Sequence, residues 1–228
     1  MKTCPWCTQQ FEVIEKDKEF YKKISVPEPT LCPDCRQQRR LMFRNERTLY
    51  SRSCDLCKKT TVAVYPASAP FPVYCNACYW SDAWDGTQYA RDYDASRPFF
   101  DQFKELQSCV PRISTLAITS VNSDYTNNSA DNKNCYLLFA AENNEDCYYG
   151  RLVQSCKDCV DCDYIYDSER CYGSLDCRNC YNTHFSEKSQ GCNDVLFGFN
   201  LSGCSSCILC TNLRNKEYHI ENKPVSKE

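Results

Sequence analysis

Histidine is almost absent from this 228-residue chain: His184 and His219 are the only two, which leaves imidazole chemistry little to work with. The six glycines nowhere gather into a phosphate-cradling loop, and no Ser/His/Asp set suggests a nucleophile with its base. No apolar run approaches the roughly 18 residues of a membrane span. The first residues, MKTCPWCTQQFEVIEKDKEF, lack the apolar stretch of a secretory signal. Neither sign of charge dominates: 27 Lys plus Arg against 30 Asp plus Glu leave −3, which predicts no global affinity for polyanions. No membrane contact, small-molecule substrate or enzymatic activity is expected from such a chain. Hydrophobic content of 42% and aromatic content of 13% nevertheless argue against wholesale disorder.

What is abundant is cysteine, with 21 residues. An odd count without a secretory signal points to a reducing, cytoplasmic setting rather than a disulfide framework. The thiols are then expected to be metal ligands or small buried groups.

The first eight form four CxxC pairs: Cys4/Cys7, Cys32/Cys35, Cys54/Cys57 and Cys75/Cys78, with 24, 18 and 17 residues between pairs. Two such pairs at this separation suit one tetrahedral Cys4 site, and an all-thiolate site is closed and structural rather than catalytic. Two structural zinc ions are the expected cofactors. Cys35 opens a run, RQQRRLMFRNER, rich in helix formers, and Cys78 precedes YWSDAW, a second, shorter helix candidate. Lys59 to Tyr74, KTTVAVYPASAPFPVY, reads as a hairpin with a Pro-rich connection. Knuckle, hairpin and helix in that order resemble treble-clef and zinc-ribbon modules. Sequential pairing places Cys4, Cys7, Cys32 and Cys35 on one ion and Cys54, Cys57, Cys75 and Cys78 on the other. A RING-like cross-brace remains open.

From Arg36 to Thr60, Arg36, Arg39, Arg40, Arg44, Arg47, Arg52, Lys58 and Lys59 stand against Glu46 and Asp55. Arg36, Arg40, Arg44 and Arg47 fit helical spacing and predict one basic stripe, with Leu41 and Phe43 on the buried side. Such a stripe suits RNA, DNA or the ribosome; a solvated face offsetting acidic neighbours suits it equally. Beyond it, Trp80, Trp84, Tyr89 and Tyr93 read as packing residues, and Phe99, Phe103 and Leu106 as the apolar face of a helix.

The later cysteines, from Cys135 to Cys210, all fall on positions divisible by three. Every third residue from Ser114 to Leu213 is Cys, Ser, Ala, Gly, Thr, Val, Leu, Ile or Asn, in a chain 25% charged and 13% aromatic. Neither a helix nor a flat strand has a period of three. Cysteines also recur in steps of twelve, with one step of nine between Cys171 and Cys180. Four inward residues per turn describe a narrow β-solenoid of roughly 12-residue coils, stacked about 4.8 Å apart. The spacing resembles the twelve-residue β-helix of insect antifreeze proteins in coil geometry only, because the outward Thr-x-Thr ladders are missing. Taking each block from its opening cysteine stacks Tyr136, Tyr148, Tyr172 and Tyr181 in one outward column, and Phe185 and Phe197 in another. These columns either stabilise the stack or dock a protein partner or a second copy. Cys156/Cys159/Cys162 and Cys204/Cys207/Cys210 superficially match half of a ferredoxin motif, so Fe–S binding or metal storage is a further alternative.

The fold class expected is therefore an α+β zinc-binding N-terminal domain of two treble-clef or zinc-ribbon modules, then an all-β solenoid. The segments are 1–50, 51–110, 111–215 and a tail, 216–228. CPDCRQQRRLMFRNERTLYSRSCD, VYCNACYWSDAWD, DYDASRPFFDQFKEL and the CY repeats resemble uncharacterised cysteine-rich zinc-ribbon proteins of candidate-phyla bacteria. That resemblance implies no activity. It implies a solenoid continuing past NLRNKEY, so an uncapped end is expected at the C-terminus. A non-enzymatic zinc protein contacting nucleic acid or the ribosome is the leading expectation, with a protein-interaction scaffold as its alternative.

Overall fold

The computed structural model describes residues 1–227 and divides into two compact units, Met1–Asn45 and the chain from Glu46 onward. In the first unit a two-stranded sheet, β1 (Lys2–Thr3) and β2 (Gln10–Phe11), precedes helices α1 (Glu15–Lys23) and α2 (Pro33–Leu41). Its core is small: Cys4, Phe11, Val13, Leu31, Cys32 and Cys35, with Tyr21 packed against them. The second unit opens with the antiparallel hairpin β3 (Tyr50–Ser53) and β4 (Thr60–Ala63), then β5 (Val73–Tyr74) and the short helix α3 (Asn76–Tyr79). The sequence reading had β4 folding back on β5. Instead β4 pairs with β3, and β5 pairs in parallel with β6 (Arg112–Ile113), the lead-in to the solenoid. Between them lies α4 (Phe99–Gln107), whose Phe99 and Phe103 stay 56% and 45% exposed rather than forming a buried face. Trp84 packs on Tyr74 and Tyr79, whereas Trp80 and Tyr93 are exposed, against the packing role expected of them. No helix among the described residues is long and apolar enough to cross a membrane.

The C-terminal region is a β-solenoid of about nine turns over residues 117–220. Its register is i to i+12 throughout: Tyr136 pairs with Tyr148, Arg151 with Asp163, Tyr172 with His184, and Asn193 with Ser205. The nine-residue step read from the sequence is therefore no short coil. At Cys171 to Cys180 the cysteine run moves from one interior column to the adjacent one while the coil length stays at twelve. The consequence outside is direct. Tyr172 stacks with His184, and Tyr181 sits over Glu169 and Asn193, so Tyr181 does not extend the column of Tyr136, Tyr148 and Tyr172.

The backbone explains the period of three. From Asn128 to Glu221 every third residue has φ near +50 to +60°, beginning at Asn128, Asp131 and Asn134 and including Gly173, Gly191 and Gly203. Each such residue turns the chain, the next points inward, and the one after makes the parallel bridge to neighbouring coils. The turning residue donates its N–H upward, as from Ala140 to the Asn127 carbonyl (3.2 Å), and the bridging residue donates downward, as from Tyr136 to Cys147 (3.2 Å).

That leaves the inward N–H, which points into a dry interior and needs an acceptor there. The side chain twelve residues earlier supplies it. Cys135 donates to Ser123 Oγ (3.0 Å), Cys156 to Asn144 Oδ1 (3.0 Å), Cys180 to Ser168 Oγ (3.2 Å) and Gly198 to Ser186 Oγ (3.0 Å). Thiols act likewise, with the Cys159 N–H facing the Cys147 sulfur and the Cys171 N–H facing that of Cys159. Each thiol also donates, as Cys147 Sγ does to the Glu145 carbonyl (3.3 Å). Interior cysteine is thus a hydrogen-bonding residue of the right size, beyond the small apolar filler expected of it. Much of the bulk apolar volume lies in one column, where Ala141, Val153 and Ile165 follow one another and Leu201 recurs, while Leu138 and Val195 sit in two others.

The edge of the last coil is paired in part: β15 (Glu217–Ile220) turns at Glu221 and Asn222, and its His219 and Ile220 pair antiparallel with β16 (Lys223–Pro224). Lys and Pro on that strand discourage further pairing. Ser186→Ala changes little volume but leaves the Gly198 N–H without its acceptor. A loss of about 1–3 kcal/mol is expected, read as a lower urea midpoint with an unchanged slope, whereas Ser186→Cys should retain most of the stability.

Candidate metal centres

Both Cys4 modules are built on one plan. In the first, the chain after Cys4 closes a tight turn, Thr8 N–H to the Cys4 carbonyl and Cys4 N–H to the Gln9 carbonyl (both 2.9 Å), with Thr8 at φ 60°. In the second, Lys58 N–H bonds to the Cys54 carbonyl (3.0 Å) and Cys54 N–H to that of Lys59 (2.9 Å), with Lys58 at φ 63°. Each knuckle is the tip of a two-stranded hairpin, β1–β2 or β3–β4. The second pair of each module starts a helix. Cys32 caps α2, with Pro33 at its first position, and Cys75 caps α3. Amide groups that the helix leaves unbonded therefore point at sulfur: Cys35 N–H at Cys32 Sγ (3.5 Å), and Cys75 N–H at Cys54 Sγ of the knuckle (3.3 Å).

The sulfurs of Cys4, Cys7, Cys32 and Cys35 lie within 4.8 Å of one another, as do those of Cys54, Cys57, Cys75 and Cys78. Pairing is sequential, not cross-braced. Cys7 to Cys32 is 3.6 Å and Cys57 to Cys75 is 3.9 Å. A tetrahedral ion with metal–sulfur bonds near 2.3 Å requires sulfur–sulfur separations of about 3.8 Å. Both groups therefore fit a single tetrahedral ion without rearrangement.

The electrostatics point the same way. Burial pushes the Cys4 thiol up, but the N–H groups of Cys32, Cys7 and Trp6 together outweigh it and lower the value to about 6. The Cys54 thiol comes down to about 6 against burial in the same manner, through Cys75, Cys57 and Leu56. Burial, followed by the sulfurs of Cys57, Cys75 and Cys54, pushes Cys78 up to about 12, and Cys7 with burial pushes Cys35 up. One thiolate per cluster is favoured by the fold alone, and the full set of four requires a cation to offset their repulsion.

The other cysteines show no such arrangement. Among the described residues no further trio of His, Cys, Asp or Glu side chains brings ligand atoms this close. Cys156, Cys159 and Cys162 occupy three successive interior positions of one coil, and burial pushes the Cys162 thiol up to about 12. All 21 cysteines are free.

The basic residues do not form the stripe that their spacing predicts. α2 stops at Leu41, and the chain divides at Asn45, so Arg44 and Arg47 lie beyond the helix that carries Arg36, Arg39 and Arg40. Leu41 and Phe43, expected on its buried side, are 58% and 85% exposed. Arg36 is half-buried and donates to the Tyr21 hydroxyl (3.1 Å). Arg47 lies over the Phe139 ring at 5.6 Å. Arg52 is buried, bonded to the Pro66 carbonyl and Asp55 Oδ2 (both 2.9 Å), and Asp55 Oδ2 also accepts from the Val73 N–H (2.7 Å). It therefore braces the second module and is unavailable to phosphate. Lys58 Nζ folds onto the Asp55 carbonyl (2.6 Å); Arg39, Arg40, Arg44, Arg47, Lys58 and Lys59 of the original set are solvent-exposed. Hydrogen bonding by Arg52 was illegible in the sequence because Pro66 and Asp55 approach it only through the hairpin.

Removing the metal should cost the first unit its fold, because its core is half cysteine. Chelation is expected to abolish structure in Met1–Asn45 while the solenoid's β signal persists, and elemental analysis of reduced protein should give two metal ions per chain. Cys32→Ser should lower that to one. The geometry carries this reading alone: no family model matches the chain, and comparison with curated proteins finds no relative.

Proposed function

We propose that the chain is a non-enzymatic interaction scaffold, with a structural zinc ion in each Cys4 cluster and a partner docked along one face of the solenoid. Zinc is favoured by four closed thiolate donors with tetrahedral spacing. The observation that carries the docking reading is a conflict between backbone and side chain. Residues at the left-handed positions cost of order 1 kcal/mol unless they are Gly, Asn or Asp. On one face all but Ser155 follow that preference, with Asp131, Asn143, Asp167, Asn179, Gly191, Gly203 and Asn215. On another, Tyr149, Phe185, Phe197 and Leu209 occupy them and remain 46–52% exposed, although Asp161 and Gly173 fill the same row between Tyr149 and Phe185. Beside that row run Tyr136, Tyr148, Val160, Tyr172, His184, Leu196 and Ile208, successive members of the i+12 register. Rings touch along it, Tyr136 with Tyr149 at 5.7 Å and Phe185 with Phe197 at 5.2 Å. Self-stacking accounts for part of this, but not for exposed aromatic residues where the backbone disfavours them. An adjacent face instead bears Lys133, Glu145 and Lys157, linked by ion pairs.

Tyr172→Asp with Phe185→Asp should abolish retention of protein partners in affinity capture, and Tyr181→Asp, in a different column, should not. If all three substitutions leave the retained proteins unchanged, docking is not on this face.

A second reading puts nucleic acid or the ribosome on the first unit, supported by exposed Arg39 and Arg40 in a segment of nine basic and six acidic residues. Binding of RNA or DNA oligonucleotides should then fall steeply with salt and disappear in Arg39→Glu with Arg40→Glu. Absence of binding at low salt eliminates it.

A further inference from the structure

The two ends of the solenoid are finished differently. At the C-terminal end, β16 covers the edge of β15 and carries Lys and Pro. At the other end the second Cys4 module covers only part of the first coil. β5 lies parallel on β6, with Arg112 N–H bonded to the Pro72 carbonyl (2.9 Å) and Ser114 N–H to that of Tyr74 (2.8 Å), and Val64 N–H reaches the Ser114 carbonyl (2.9 Å). The module thus supplies a piece of a preceding coil, in the same parallel sense as the coils themselves.

Beyond Ser114 this cover stops. β7 (Ala117–Ile118) pairs on its far side with β8 (Ser129–Ala130), and the Leu116, Ile118 and Val121 carbonyls accept from Ser129, Asp131 and Asn134 below. Thr119 and Asn122, both with left-handed φ, hold the positions whose N–H bonds to the preceding coil everywhere later in the stack. Here no coil precedes, and among the described residues neither N–H has a partner. By the same rule the Ala117 and Ser120 carbonyls are the matching acceptors. Beside this row, against Ala117 and Ser120, opens a cleft of about 550 Å³, with Tyr50, Ser51, Thr60 and Val62 of the β3–β4 hairpin opposite. Asn76 also lines it. Its Nδ2 bonds to Thr115 Oγ1 (3.1 Å), while its buried Oδ1 has no partner.

The geometry points to a peptide-binding site: the cleft takes an extended segment of another protein, which adds as a strand to the open edge at Ala117–Asn122 and continues the β5–β6 pairing. An uncovered row of alternating donors and acceptors specifies an extended main chain as occupant. Side chains of the segment alternate between the hairpin bank, with Tyr50 and Val62, and the solvent side near the carboxylate of Asp124. A segment with apolar residues on one side and basic ones on the other is the best match. The cleft adjoins the aromatic face at Tyr125, whose ring lies 5.2 Å from that of Tyr136, but neither Tyr172 nor Phe185 lines it, and neither reading depends on the other.

The test uses the full chain, metal-loaded and reduced, to select from a phage-displayed library of random linear peptides, with counter-selection on a variant whose cleft is filled by Ser51→Trp and Thr60→Trp. Enriched peptides, made synthetically, should bind the unsubstituted chain about tenfold or more tightly than the filled variant. They should slow amide exchange at Thr119 and Asn122, and bind equally well when Tyr172→Asp and Phe185→Asp disable the aromatic face. The exchange measurement needs no variant, so misfolding of the filled chain leaves it decisive. No enrichment, or binding without protection of those two amides, overturns the proposal. So does protection that grows with protein concentration alone together with a dimer in sedimentation, which would make the occupant a second copy.

Discussion

Everything about the solenoid follows from where one amide in three points. A chain that turns left-handed at every third residue directs the following N–H into an interior too narrow for water, and a buried donor without an acceptor is expensive. The acceptor is the side chain one coil back, so most interior positions must be small and able to accept: Ser123, Asn144, Ser168, Ser186 and the cysteines between them. Cysteine is favoured because its sulfur accepts that amide, its S–H reaches a carbonyl, and its body still fills apolar space. The buried thiols are thereby committed to the architecture, which separates them from the eight N-terminal thiols by role as well as by position.

The Cys4 modules solve the opposite problem. Their cores are too small to offset chain entropy through apolar burial, and an ion held by the four thiols would supply what packing does not. Knuckle and helix start each present amide groups to sulfur, so the fold itself favours the first thiolate, and a bound cation would bring in the remainder. The second module has an additional structural task. By laying β5 alongside β6 it provides the template on which coil pairing begins, and Arg52, held by Pro66 and Asp55, stiffens the hairpin that frames it.

Period three and the CxxC spacing were both legible because each is a constraint that repeats along the chain itself: four residues to one ion, twelve residues to one coil. Column identity was less legible. Cysteine may sit in any interior column, so following cysteines across Cys171 and Cys180 suggested a short coil and put Tyr181 above Tyr172, when the backbone had kept its length. The basic stripe failed for a related reason. Helical spacing of Arg36, Arg40, Arg44 and Arg47 is meaningful only while the helix lasts, and α2 stops at Leu41. Arg52 looked like its neighbours in sequence and differs from them only through Pro66 and Asp55. The partnerless edge at Thr119 and Asn122 has no sequence signature, since the same residues in a later coil would be fully bonded.

A backbone that assigns a different duty to each residue of a triplet also dictates how such a chain tolerates changes in length. Adding or removing one residue would carry inward side chains onto the turning positions for every coil downstream, and a triplet would keep these duties but rotate all columns by one side of the coil. Twelve residues, by contrast, can be gained or lost as a unit, lengthening or shortening the stack by about 4.8 Å with every column intact. The spacing between the second Cys4 module and any surface farther along the solenoid is therefore a quantity that changes in whole coils.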